Sequence, residues 1–166
     1  LAPEYGGDGK IESEDYSDPI MGLPAHWAPN DLLFYTGNQF PERYKNGAFI
    51  AFHGSTNRMP YPQAGYVVGF IPFENGIPKG EMEIFADGFT GKDTISDMEE
   101  AEYRPMGLAQ GPDGSLYISE SKKGKIWRII FSGDREGYGK ENLESMSERL
   151  KKSNIKQPTE NVDVLN

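Results

Sequence analysis

In GAFIAFHGSTNR, residues 47–58, an apolar, aromatic run gives way to a histidine, a glycine, two hydroxyls, an amide and a guanidinium. The first half reads as a β-strand, and the second half places an unusual number of hydrogen-bonding groups at its end. Three similar runs flank it: LLFYTG (32–37), YVVGFIPF (66–73) and MEIFADGF (82–89). Turn residues separate the four at the spacing of an antiparallel meander. Between the third and fourth, Asn75-Gly76 is a dipeptide suited to turn positions of positive φ. A polar, acidic loop through GKDTISDMEEAE (91–102) leads to a second group of three: MGLAQ, the turn GPDG, SLYISES, the turn KKGK, and IWRIIFSG, ending at residue 133.

Outside these groups the chain is plainer. Residues 1–30 are rich in Gly, Pro, Asp and Ser and read as loop. From Tyr138 the character changes. ENLESMSERLKKSN (141–154) puts Leu143, Met146 and Leu150 at helical spacing among charges, which predicts one short amphipathic helix, and the polar 155–166 reads as a linker. The organisation expected is therefore residues 1–137 as part of a β-domain and 138–166 as helix and linker.

A chain of 166 residues suits one ordinary domain, and 20 glycines with 12 prolines imply many turns. With no cysteine there is neither a disulfide framework nor a thiolate ligand or nucleophile. A net charge of −9, with Lys and Arg scattered among acids, argues against nucleic acid as a partner. No apolar run reaches the roughly 18 residues of a membrane span, and the first residues lack the basic and apolar regions of a signal peptide. The chain begins at Leu1 rather than methionine, which suggests a processed product or a piece of something longer.

Four strands followed by three, offset by about fifty residues, is the organisation of β-propeller blades; a three-stranded last blade is expected when its missing strand lies elsewhere in the chain. A small sandwich with an added helix is the alternative from strand spacing alone. Three motifs in order go further. H-x-A-P (26–29) precedes a strand ending Tyr-Thr-Gly, H-G-S-x-N-R (53–58) ends a second, and R-P-x-G (104–107) opens the last group. Over about residues 20–133 the sequence resembles the C-terminal third of the soluble glucose/sorbosone dehydrogenase family, six-bladed propellers that use pyrroloquinoline quinone (PQQ) with Ca²⁺. The fold class expected is all-β: a partial β-propeller, about two blades of six, with a short C-terminal helix.

The resemblance implies a protein that oxidises an aldose or related polyol. PQQ is a planar tricarboxylate with an ortho-quinone, so its site needs cations for the carboxylates, donors for the quinone oxygens and flat apolar contact. Arg58 and Arg104 suit the carboxylates. His53 and Asn57 suit the quinone or the sugar, and His26, with Trp27 beside it, is the third element of the set. Each has a plainer reading. A strand-end histidine is often a satisfied turn residue, Asn57 can form a turn, Arg58 can cap an edge strand and Arg104 can be a loop charge. Asp113 in GPDG reads as turn chemistry, and DMEEAE as a solvated loop.

The chain is short of what the family requires, since a six-bladed propeller takes upwards of roughly 300 residues. In the family the general-base histidine and the Ca²⁺-holding segment lie upstream of the part matched here, so no residue receives those roles and the chain alone is expected to be inactive. The expected partners are the remainder of the propeller, or another chain completing the last blade, a sugar substrate, and a cytochrome c domain or protein as electron acceptor. No C-x-x-C-H is present, so haem is not expected here. A periplasmic or extracellular location follows from the resemblance. The alternative function is a binding module that kept the scaffold and lost the chemistry.

Overall fold

A computed structural model describes residues 17–152. Residues 1–16 of the expected loop, and residues 153–166, which include the whole of the expected linker, lie outside the described residues. The described part is mostly β, in three antiparallel sheets, as a partial β-propeller requires. The first holds β1 (Pro29–Phe34), β2 (Ala48–Phe52), β3 (Val67–Ile71), β6 (Glu83–Ala86) and β10 (Glu144–Ser145), in the order β1-β2-β3-β6-β10. A small hairpin, β4 (Phe73–Glu74) and β5 (Ile77–Pro78), turns through Asn75 and Gly76 at φ 52° and 79°, as the dipeptide predicts. The second main sheet is β7 (Pro105–Gln110), β8 (Leu116–Glu120) and β9 (Ile126–Ile129) in chain order.

Burial explains the two kinds of strand pattern. All five residues of β2 are buried, because the strand has apolar cover on both faces. On one side Phe49 joins Tyr35, Phe40, Tyr44, Phe70 and, from the second sheet, Leu116 and Ile118. On the other, Ile50 and Phe52 pack with Trp27, Val67, Met82 and Ile84. Such a strand reads as a continuous apolar run. In contrast β8 alternates buried and half-buried residues, since only one of its faces meets the core.

The two main sheets are stitched together by polar groups as well as by the shared core. The Tyr35 hydroxyl donates to Gly114 O at 2.7 Å and accepts from Gln39 N and Phe40 N, each at 3.1 Å. Gln39 exchanges two bonds with the Phe131 backbone, at 2.8 and 2.7 Å. Gln110 Oε1 accepts from Thr36 N and Gly37 N, each at 2.9 Å, and Asp31 Oδ2 accepts from Leu108 N at 2.7 Å. These side chains supply the bonds that sheet ladders cannot make across a gap between sheets.

The tail corrects one expectation. The helix, α1, covers only Met146–Lys152, and Glu144–Ser145 pair as β10 with Ile84 and Glu83 of β6. Leu143 is therefore not on the helix; it packs against the main core, as does Tyr138. The pull on the segment is local: Ser147 bonds both oxygens of Glu81, and Arg149 pairs with Asp87 at 2.6 Å and Glu144 at 3.1 Å. Hydrogen bonding along the β6 edge captures residues that helical periodicity alone assigns to a helix.

Replacing Tyr35 by Phe strands one buried acceptor and two backbone donors while keeping the ring. The expected loss is about 2–4 kcal/mol in denaturant unfolding, and a change below about 0.5 kcal/mol would show that the hydroxyl does not couple the sheets.

Candidate functional site

A cleft of about 420 Å³ opens where β2 ends and the second sheet begins, lined by His26, Ala28, His53, Gly54, Thr56, Asn57 and Arg104. Four of the five sequence-selected residues, His26, His53, Asn57 and Arg104, are thus neighbours although they span 79 positions of chain. The backbone explains the meeting. Past β2 the ladder continues as His53 N donates to Ala28 O at 2.9 Å and Gly54 N to Trp27 O at 3.0 Å, which brings the His26–Ala28 corner alongside. His26 and Ala28 both have positive φ, 66° and 52°, a conformation costly for residues with a Cβ and common at ligand-binding corners. Gly54 cannot be replaced at this point: its φ is 89°, and a Cβ would sit 2.5 Å from the Tyr66 ring.

Arg104 reaches in from the start of the second sheet. Its Nε donates to His53 O at 3.1 Å and its Nη2 to Gly54 O at 3.0 Å, while the guanidinium lies 5.6 Å above the Tyr66 ring. Among the described residues the remaining amino group, Nη1, has the Met98 sulfur, at 3.5 Å, as its hydrogen-bond partner. The fork thus fastens the end of β2 to the second sheet and brings a positive charge into the cleft. Tyr66 completes the support by donating its hydroxyl to Ser55 O at 2.5 Å.

Arg58 is not part of this group. It is 3% exposed, its Nη1 donates to Pro62 O at 2.8 Å, and it is absent from the lining. The chain past Asn57 turns back into the protein, so the last residue of the H-G-S-x-N-R motif braces its own loop. Trp27 likewise faces the core, edge-on to Phe52 at 5.6 Å, rather than the cleft. Asp113 is the turn residue that the sequence suggests: it accepts from Ser115 N and Oγ and pairs with Arg128. In the acidic loop Asp97 and Glu100 form a capping box, and backbone and Ser96 donors hold the Glu100 carboxyl low, at about 2. No group of three or more His, Cys, Asp or Glu suited to a metal occurs among the described residues.

The chemistry of the lining is that of donors. It contains one guanidinium and no carboxylate, in a chain of net charge −9. Among the described residues the side chains of His26, Thr56 and Asn57 make no hydrogen bond, and all three are exposed to whatever enters. Burial, and secondarily the Arg104 charge, hold the His53 imidazole below its ordinary range, so the ring is neutral at pH 7. The residue that sequence reasoning missed is Ser121, whose Oγ lies 2.7 Å from His53 Nε2. It sits 68 positions away at the end of β8, and no local signal marks it.

The fold is all-β, antiparallel sheets with a cleft at their junction whose lining is made of hydrogen-bond donors. The chain belongs to the TrAA12-like family, the AA12 group of PQQ-dependent oxidoreductases, whose family model matches residues 6–131. An uncharacterized protein of Borreliella burgdorferi is 33% identical over 113 residues, 68% of this chain and 28% of that protein. A pyrroloquinoline quinone-dependent pyranose dehydrogenase of Coprinopsis cinerea is 30% identical over 124 residues, 67% of this chain and 16% of the enzyme. The chain therefore spans less than a third of the length of these curated relatives. The calcium structure of Trichoderma reesei carbohydrate-active enzymes family AA12 aligns at 26% identity with a TM-score of 0.40, over 61% of this chain and 24% of that one. No helix among the described residues is long and apolar enough to cross a membrane.

The depressed His53 pKa fixes a sign. Between its ordinary 6.5 and the lower folded value the unfolded chain binds more protons, so His53 favours the fold fully above pH 6.5 and progressively less as pH falls below it. In an NMR titration Arg104→Gln should raise the His53 pKa part of the way towards 6.5, because burial, the larger cause, remains. An unchanged value would remove Arg104 from the electrostatics of the ring.

Proposed function

We propose that the chain is the C-terminal part of a PQQ-dependent sugar dehydrogenase with a six-bladed propeller, and that its cleft contributes cofactor- and sugar-contacting groups but not the general base. The observation that carries the proposal is the lining itself: a guanidinium, two imidazoles, an amide and a hydroxyl converging without any carboxylate. The volume falls in the range of small-molecule sites, about 300–1,000 Å³. This donor set fits a flat tricarboxylate.

Arg104 would hold a carboxylate edge with Nη1, its other two nitrogens being fixed to the His53 and Gly54 carbonyls. Thr56 and Asn57 would donate to further oxygens, and His26 and His53 would orient the quinone edge or the sugar hydroxyls. PQQ, when bound, supplies the two-electron acceptor for oxidation of a sugar C–OH. Because the lining offers no carboxylate cage, Ca²⁺ in this proposal takes its ligands from outside the described residues, as does the proton acceptor. On this account the chain alone turns over no sugar. The protein works outside the cytoplasm, in the periplasm or extracellular space, and passes electrons to a cytochrome c domain or protein. The free edge of β9, with Ile126 and Ile130 exposed beside it, is where another segment or chain would complete the last blade.

A PQQ titration of the protein separates the two contributions of the arginines. Arg104→Ala should weaken binding roughly ten- to a hundredfold, and Arg104→Lys should recover little of it. Arg58→Met should leave affinity within about twofold while lowering stability by about 1–3 kcal/mol, because it leaves Pro62 O without its donor. Undiminished affinity in Arg104→Ala would refute the site.

A further inference from the structure

His53 and Ser121 belong to different sheets, yet Ser121 Oγ lies 2.7 Å from the imidazole Nε2. Ser121 follows directly on β8, and its backbone N–H donates to Arg104 O at 3.2 Å. The residue touching the ring is thereby tied to the residue that fastens the His53 carbonyl. Among the described residues the Ser121 hydroxyl has no other partner, and His53 Nδ1 has none at all. Nδ1 is not among the buried unpartnered atoms, and His53 lines the cleft. One ring nitrogen is tied back and the other is open to a ligand.

We propose that Ser121 is a positioning residue of the cleft: its hydroxyl donates to His53 Nε2, holds the ring as the Nδ1–H tautomer and so presents an N–H donor to an acceptor oxygen of the bound molecule. A neutral imidazole has one donor and one acceptor, and the bond made by one nitrogen sets the role of the other. Burial, and secondarily the neighbouring Arg104 charge, disfavour the imidazolium, in which both nitrogens would donate. In the opposite tautomer a lone pair would face the cleft and meet ligand oxygens lone pair to lone pair. With the Nδ1–H form, His53 joins Thr56, Asn57 and Arg104 in a lining made of donors. The ligand class this selects is a planar anion rimmed with carboxylate and carbonyl oxygens. The choice of tautomer rests on the reading of the cleft as a site for an acceptor-rich molecule, and the last step on its reading as the PQQ site.

The test has two arms. Imidazole ¹⁵N NMR of the ligand-free full chain at pH 8, with His53→Gln to assign the signals, should show Nδ1–H for the unaltered protein and for Ser121→Thr, which keeps the hydroxyl. Ser121→Ala should revert to Nε2–H, the form preferred by a free histidine side chain. In PQQ titrations Ser121→Ala should bind about three- to tenfold more weakly and Ser121→Thr within about twofold of the unaltered protein. An Nε2–H ring in the unaltered protein, an unchanged tautomer in Ser121→Ala, or equal losses in the Ala and Thr variants would overturn the proposal. If the tautomer behaves as expected and the unaltered protein does not bind PQQ, the ring assignment stands and the reading of the cleft falls.

Discussion

Two hydrogen bonds from one guanidinium hold the candidate site together. Past β2 the N–H groups of His53 and Gly54 keep partners in the 26–28 corner, but their carbonyls need partners of their own. Arg104 supplies them from the neighbouring sheet, taking the carbonyls of His53 and Gly54 with Nε and Nη2. Lysine, with a single point charge, cannot hold two carbonyls in a fixed plane and still present a third donor. The same contact places a positive charge beside the imidazole, which adds to burial, the larger cause, in keeping the ring neutral. Arg104 thus contributes to both the structure and the electrostatics of the cleft.

The rest of the fold serves to hold that contact in register. β2 is rigid because both its faces are packed, and Gly54 lets it bend over the Tyr66 ring where no side chain could. At the other end of the seam the Tyr35 hydroxyl and the Gln39 and Gln110 amides fix the sheets against each other. A cleft built from two sheets needs both ends of the seam fastened, since sliding of one sheet would separate His53 from Ser121. The seam also explains why a chain of modest size has so many aromatic residues: Tyr35, Phe40, Tyr44, Phe49, Phe70 and Phe85 interlock at centroid separations of 4.6–6.2 Å, filling the wedge between sheets.

The strands were legible because each is a short aromatic or β-branched run closed by turn residues, and the grouping into four and three holds with two additions, β10 at the β6 edge and the β4–β5 hairpin. His26, His53, Asn57 and Arg104 were legible as a set only through motif order, since nothing local joins positions 26, 53 and 104. Arg58 stands apart from that set because the chain turns inward past Asn57, and direction after a turn is set by burial that no motif records. Ser121 was illegible for a related reason: it acts across the gap between sheets, and its neighbours SES and KKGK carry only turn signals. The helix was half legible. It begins at Met146, and the edge of β6 claims the two residues before it.

The central claim is that the junction of the two sheets receives PQQ. The most direct measurement is a crystal structure of the protein soaked with PQQ. The account predicts the planar ligand between His26, His53, Asn57 and Arg104, with a carboxylate on the Arg104 guanidinium and an oxygen on His53 Nδ1. PQQ bound elsewhere, for example over the second cleft beside Asp31 and Tyr117, with this junction left to solvent, would contradict it.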